Sequence, residues 1–169
     1  IEENYTGIVF AGGGADRIAR NVVRNNRYLG INAVDTRIGL IEGNLFERNH
    51  GAARLQEITP ASTYDRLLVR YNTFRWNEAD RGGALEINTS LELTGNIFEG
   101  NLAFEWGGAV SISGPSAVLR ANVFSRNRAP FGGAVSVEFL DPGPGTLIVA
   151  GNTFSANVGS RDGAGLLAT

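Results

Sequence analysis

One group of side chains in this sequence has the types and spacing that ligand binding requires. Asp80, Phe104, Glu105, Trp106 and Phe131 each lie within three residues of a Gly-Gly pair. Aromatic rings offer an apolar surface, and a few polar groups beside them orient a ligand. If the chain binds a glycan, we therefore expect these five residues to form the site. The alternative interpretation is that the large side chains only shield a corner of the fold.

Other candidates for catalysis or metal binding are weaker. Arg54 and Glu86 lie one repeat apart, and we interpret them as a surface ion pair in preference to an acid–base pair. His50 is the only histidine and there is no cysteine, so a metal site with the usual His or Cys ligands is not indicated. The glycine-rich stretch 11–16 lacks the Lys-Ser/Thr of a phosphate-binding loop. We predict no catalytic residue, metal or cofactor.

An internal repeat positions all of these residues. Its first half, Asn-x-apolar-x-x-Asn, occurs six times at successive spacings of 23, 28, 24, 26 and 30 residues. Its second half is a glycine element that follows each copy, and in three copies it reads Gly-Gly-Ala. After a first, divergent copy with Val23 in place of Phe, the repeat is carried by Asn44, Phe46, Asn49, Asn72, Phe74, Asn77, Gly82, Gly83, Asn96, Phe98, Asn101, Gly107, Gly108, Asn122, Phe124, Asn127, Gly132, Gly133, Asn152, Phe154 and Asn157.

The segments between the motifs predict the fold class. Each holds short alternating or β-branched runs bounded by Gly, Pro, Asn or Ser, which is typical of short strands. Repeats of about 25 residues that contain two or three strands stack into a solenoid, because one repeat alone cannot bury its apolar side. We therefore predict an all-β fold, a single right-handed parallel β-helix of about six coils over residues 1–169.

The register of the repeat predicts the interior of this solenoid. With the coils aligned on the first asparagine, Val23 and five phenylalanines form one inward column. The asparagines lie at corners, where an amide can donate, accept and adopt left-handed backbone geometry. Stacked asparagines can hydrogen-bond along the axis. The glycine pairs predict a second sharp corner with positive φ.

The composition limits the classes of partner. A formal net charge of −2 leaves no electrostatic footprint for nucleic acid. No apolar run reaches the length of a membrane span. The chain begins and stops within the repeat, from which we expect it to be part of a longer solenoid.

Two further features suggest contacts with other molecules. Outward positions on one flank form apolar rows, which predict self-association or a protein partner; they are Leu40, Leu68, Val118 and Ile148, and then Val22, Leu45, Ile97 and Val123. Insertions at 57–66 and 138–146 predict loops that project from the coils, where binding residues are common.

The motifs resemble those of a known family. FERN (46–49), FRWN (74–77), FEGN (98–101), FSRN (124–127) and FSAN (154–157) alternate with GGAL (82–85) and GGAV (107–110 and 132–135). This alternation resembles the FxxN and GGA repeats of the polymorphic outer-membrane proteins. The resemblance implies a secreted or surface-exposed bacterial protein that acts in adhesion.

We therefore predict an exported binding solenoid without catalytic activity, a surface adhesin or an extracellular assembly module, whose partner is a glycan or a protein surface. Two alternatives stay open. Right-handed β-helices also include polysaccharide lyases and glycoside hydrolases, so the Asp80, Glu105 and Trp106 corner could belong to a carbohydrate-active enzyme. The chain could also be a subunit of an extracellular filament, joined through its coil ends or its apolar flank.

Overall fold

A computed structural model describes residues 1–56, 66–139 and 145–169, without the side chain of Arg37. Most of the two predicted loops lies outside these ranges. No helix in the described ranges is long and apolar enough to cross a membrane. The described chain is built from β-strands: β1 (Ile8–Ala19), β2 (Val22–Arg24), β3 (Ile31–Glu42), β4 (Leu45–Glu47), β5 (Ala53–Gln56), β6 (Leu67–Arg70), β7 (Thr73–Arg75), β8 (Glu78–Arg81), β9 (Leu85–Ile87), β10 (Leu91–Thr94), β11 (Ile97–Glu99), β12 (Leu102–Trp106), β13 (Val110–Ile112), β14 (Ser116–Arg120), β15 (Val123–Ser125), β16 (Arg128–Phe131), β17 (Val135–Val137), β18 (Thr146–Ala150), β19 (Thr153–Ser155), β20 (Val158–Asp162) and β21 (Leu166–Ala168).

The strands form three parallel sheets that wind around one core. One sheet has six strands in the order β2-β4-β7-β11-β15-β19, a second has four in the order β8-β12-β16-β20, and the remaining strands form the third. Each strand pairs with the equivalent strand of the next coil. The predicted all-β parallel solenoid is confirmed. Its six predicted coils correspond to six passes through the first sheet, which are connected by about five turns.

The predicted phenylalanine column forms the centre of the core. Phe46, Phe74, Phe98 and Phe124 are completely buried. Neighbouring rings from Phe46 to Phe154 stack with their centroids 4.8–4.9 Å apart. Parallel strands have the same spacing, so the backbone ladder sets the distance between the rings.

The asparagines form two continuous ladders at the corners, as predicted. In each ladder the Nδ2 group of one asparagine donates to the Oδ1 atom of the asparagine in the next coil, at 2.8–3.1 Å. Asn101 shows the full pattern: its Oδ1 accepts the backbone N–H of Asn77 at 3.0 Å, and its Nδ2 donates to the carbonyl of Phe74 at 3.0 Å. The ladders therefore satisfy backbone groups that the turns remove from the sheets.

The left-handed geometry lies one residue away from where we predicted it. At all twelve corners the residue before the asparagine has a positive φ, while the asparagine itself does not. The asparagine must point along the ladder, so its neighbour makes the turn. These neighbours are Arg20, Asn25, Gly43, Arg48, Tyr71, Trp76, Gly95, Gly100, Ala121, Arg126, Gly151 and Ala156.

The two glycines of each pair have different roles. The first one, Gly82, Gly107 or Gly132, has a φ of 52–63°, as predicted for a sharp corner. The second one lies against the backbone of the next coil: a Cβ on Gly108 would lie 2.1 Å from the carbonyl oxygen of Gly133. Glycine is therefore required there for close packing and not for its dihedral angles.

We expect Phe98→Ala to lower the free energy of unfolding by about 3–5 kcal/mol, because backbone spacing keeps the neighbouring coils from closing the cavity. The adjacent Ile97 points outward and is 44 % exposed, so Ile97→Ala should change stability by less than about 1 kcal/mol. Chemical denaturation followed by circular dichroism measures both. Equal losses in the two variants would show that the ring column is not the core.

Asn101→Asp should destabilise the fold in a way that depends on pH. The new carboxylate keeps the acceptor for Asn77 but places an oxygen against the Phe74 carbonyl and the Asn127 Oδ1, and each buried acceptor left without a donor costs about 1–3 kcal/mol. Burial beside these acceptors raises the pKa of the new carboxyl above its unfolded value. The loss should therefore be smallest in acid, where the protonated carboxyl again donates, and grow as the pH rises through that pKa.

Denaturation of Asn101→Asp and wild type at pH 4 and pH 7 measures this difference. Asn25→Asp, at an exposed position outside the ladders, is the matched control. A loss that is the same at both pH values would contradict the assigned donor role.

A pair of exchanges isolates the left-handed corners. Gly43 has a φ of 61°, and the nearest atom to an added Cβ would be the Arg20 Cγ at 3.9 Å. Gly43→Ala therefore meets no clash, and it should lower the free energy of unfolding by about 1 kcal/mol through the left-handed backbone alone. At the equivalent corner Ala121 already has a φ of 50°, and Ala121→Gly should leave the thermal midpoint unchanged or raise it. A clearly lower midpoint for Ala121→Gly would refute this assignment.

Candidate functional site

The predicted binding residues lie on a lobe that only the later coils possess. Between the second asparagine and the glycine pair, one coil has the four residues of β8, whereas the preceding coil has only His50. The four-stranded sheet therefore begins at β8, whose other side carries a single bridge from Glu78 to His50. Gly51 already lies against Ala79, so the preceding coil takes a shorter path. The lobe consists of residues 80–83, 104–108, 130–133 and 160–163.

Two coils of the lobe contain a β-bulge, at β12 and at β20. Strand β12 has one residue more than β8 and β16, and its register shifts between Ala103 and Trp106. Ala103 is buried, and Phe104 is turned outward and 52 % exposed. Bulges commonly re-aim a side chain beside a site. The segment Phe104-Glu105 departs from the repeat because it contains this extra residue.

Trp106 stacks on Phe131, as predicted, but along the solenoid axis. Their centroids are 4.3 Å apart, and the guanidinium of Arg161, from the next strand of the sheet, lies 5.5 Å from the Phe131 centroid. Both rings are half-buried. Because the faces of Phe131 are covered from both sides, a sugar cannot stack on them. The geometry favours the shielding interpretation for this pair and leaves Phe104 as the exposed ring.

The two acidic candidates, Glu105 and Asp80, do not interact with the same partner. Glu105 forms an ion pair with Arg81 at 3.3 Å, with both side chains largely exposed. Asp80 is exposed and forms no ion pair within the described ranges. Nowhere in those ranges do three or more His, Cys, Asp or Glu side chains come together in a way that could hold a metal ion.

The exposed ring borders a cleft of about 380 Å³, which we call the Phe104 cleft. Phe104, Leu102 and Pro130 form its apolar walls, and Arg128 and Ser160 supply its polar groups. Arg128 has no carboxylate partner in the part of the chain that the structure describes. The lining of the Phe104 cleft contains no acidic side chain and no histidine. The cleft can therefore hold a ring and an anionic or hydroxyl group, and it offers no acid–base pair.

Only the structure reveals a second cleft, which we call the Arg27 cleft. It has a volume of about 470 Å³ and lies at the second asparagine corner of three successive coils. Arg27, Arg48, His50, Trp76 and Glu78 line it together with three asparagines. His50 seemed isolated in the sequence because its partner, Glu78, is 28 residues away; the His50 Nδ1 and Glu78 Oε1 atoms are 3.4 Å apart.

Ion pairs between coils involve several of the other charged side chains. Arg54 donates to Glu86 at 2.8 Å, which is the ion pair that we predicted. Glu42 lies between Arg17 and Arg70, and the hydrogen bonds from Arg70 and Arg17 lower the pKa of its carboxyl. An alternating row that we did not predict, although it could be read from the register, consists of Glu2, Arg24, Glu47, Arg75 and Glu99.

These charged rows flank the apolar rows on the predicted flank. Val22, Ile97 and Val123 are 38–48 % exposed, as expected for outward residues. Leu40 and Val118 are buried in spite of their outward register. Ile148 of the same row is 39 % exposed, so the exposed apolar surface is one residue wide only in the earlier coils. A role of this flank in self-association stays a prediction.

Comparisons with known proteins agree with this geometry. A family model described as a right-handed beta helix region matches residues 6–169. Neither the curated proteins nor the solved structures contain a match. Since the model covers nearly the whole chain, from before β1 to the last strand, the chain belongs to the right-handed β-helix family.

Proposed function

We propose that this chain is an exported binding module that holds a glycan in the Phe104 cleft and does not catalyse a reaction. The observation that carries the proposal is the exposed Phe104 ring beside Arg128, a cation without a carboxylate partner in the described ranges. A sugar ring can lie against Phe104 and Pro130, while Arg128 and Ser160 donate hydrogen bonds to its oxygens.

The scaffold supports binding because Phe104 and Arg128 lie on neighbouring hydrogen-bonded strands. Phe104 and Arg128 belong to β12 and β16, which pair in parallel. Trp106 and Phe131, further along the same two strands, stack on each other. A site built on paired strands loses little conformational entropy when a ligand binds. The volume of about 380 Å³ lies in the usual range of small-ligand pockets.

The export of this protein is part of the proposal. The FxxN and GGA repeats support it through their resemblance to the polymorphic outer-membrane proteins. Membership of that narrower family, with a role as a surface adhesin, is proposed on the same motifs. Fractionation of cells that express the full reading frame tests the location.

A carbohydrate-active enzyme is the second candidate function, because the lobe carries the two acidic side chains Glu105 and Asp80. Glu105 is paired with Arg81 and does not line the Phe104 cleft. Assays for turnover of acidic and neutral polysaccharides, with and without calcium, separate the two candidates. Turnover that is abolished by Glu105→Gln would favour the enzyme and overturn the binding module.

Binding to a glycan array, followed by calorimetry with the best glycan, tests the binding module. We expect Phe104→Ala and Arg128→Gln each to weaken binding at least tenfold, which corresponds to about 1.4 kcal/mol. Ile97→Ala and Arg120→Gln, exposed positions on other faces, should bind like wild type. Trp106→Phe should also retain binding, because it preserves the stack. Unchanged affinity in Phe104→Ala would place the site elsewhere.

A further inference from the structure

We propose that the Arg27 cleft is a second, independent binding site, which takes a ligand bearing a carboxylate or sulfate group. It does not rest on the Phe104 cleft, from which it differs in its position and in its lining residues. Three observations carry the proposal: two exposed guanidinium groups, an aromatic wall formed by Trp76, and a histidine that occupies the one acidic side chain of the lining.

The charge of the cleft favours an anion. Arg27 is exposed and has no ion-pair partner in the described parts of the chain. Arg48 pairs with Glu47 at 3.1 Å but keeps 59 % of its side chain exposed. Glu78, the only acidic side chain in the lining, already faces His50. An incoming carboxylate or sulfate would therefore meet two cations and no unpaired carboxylate.

Arg48, the second cation of the cleft, has partners that orient it before a ligand binds. The Arg48 guanidinium lies 4.8 Å from the centroid of the Trp76 ring, so the indole and Glu47 hold it from two sides. Trp76 extends over Gly100, whose missing side chain leaves room for it: a Cβ there would lie 2.7 Å from the Trp76 Cδ1. Behind the cleft, the buried Asn26 and Asn49 are joined in the corner ladder. The cleft is thus a built surface with fixed walls.

The histidine lies at the rim of the cleft beside the one acidic side chain of the lining. His50 faces Glu78 at 3.4 Å and stacks on Tyr28 with the centroids 6.4 Å apart; Arg27 and Arg48 are the other charged groups of the lining. The Glu78 carboxylate therefore has a partner of its own, and both arginines can interact with a ligand.

The two tryptophans allow a direct test. Trp106→Phe leaves Trp76 as the only tryptophan in the chain and preserves an aromatic stack on Phe131. The fluorescence of this variant is titrated with sodium glucuronate, with glucose and with sodium sulfate, at an ionic strength held constant with sodium chloride. We expect a saturable change with glucuronate and none with glucose. The same change with sulfate would show that the anionic group alone is sufficient.

Substitutions in the same background locate the site. Arg27→Gln and Arg48→Gln should each weaken the apparent affinity for glucuronate at least tenfold, while Arg120→Gln, an exposed arginine outside the cleft, should leave it unchanged. Thermal melting confirms that each variant is folded.

Three outcomes would overturn the proposal. The first is the absence of a saturable change with either anion. The second is an affinity that is equal in the Arg27→Gln, Arg48→Gln and parent variants. The third is a change that sodium chloride alone reproduces, which would reveal a general effect of salt.

Discussion

The hydrogen-bonded spacing of parallel strands is the constraint on which the rest of this structure depends. Every coil lies at that distance from its neighbours, and the Phe rings repeat it at 4.8–4.9 Å. A side chain is favoured at an inward position if it stacks well on a copy of itself at this separation. Flat rings and amides do so, and like charges do not. This explains why Phe and Asn recur in columns, while Arg and Glu alternate between coils.

The corners reveal a second constraint, because a turn removes backbone groups from the sheets. The asparagine ladders restore these hydrogen bonds, and the left-handed turn is made by the preceding residue. That residue is glycine at only four of the twelve corners. At two of the other corners the residue is Arg48 or Trp76, whose large side chain projects from the coil. Both side chains line the Arg27 cleft.

Candidate functional features occur where coils depart from one another. The lobe exists because the coil with Asn77 has four residues where the preceding coil has one. The Phe104 cleft exists because β12 contains one residue more than its neighbours. The predicted binding residues Asp80, Phe104, Glu105, Trp106 and Phe131 could be placed on this lobe from the sequence. Their individual roles could not, since the axial stacking of Trp106 on Phe131 leaves only Phe104 exposed.

The sequence by itself determined the fold class, the inward columns, the asparagine ladders and the glycine corners, because all of them follow from counting residues within a repeat. Only the tertiary structure decided which residue adopts the left-handed turn, which rings stay exposed and which side chains meet in a cleft. His50 and Glu78 are 28 residues apart, and the lengths of the intervening segments determine whether they touch. Contacts of that kind depend on differences in path between coils, and a repeat pattern describes what the coils share.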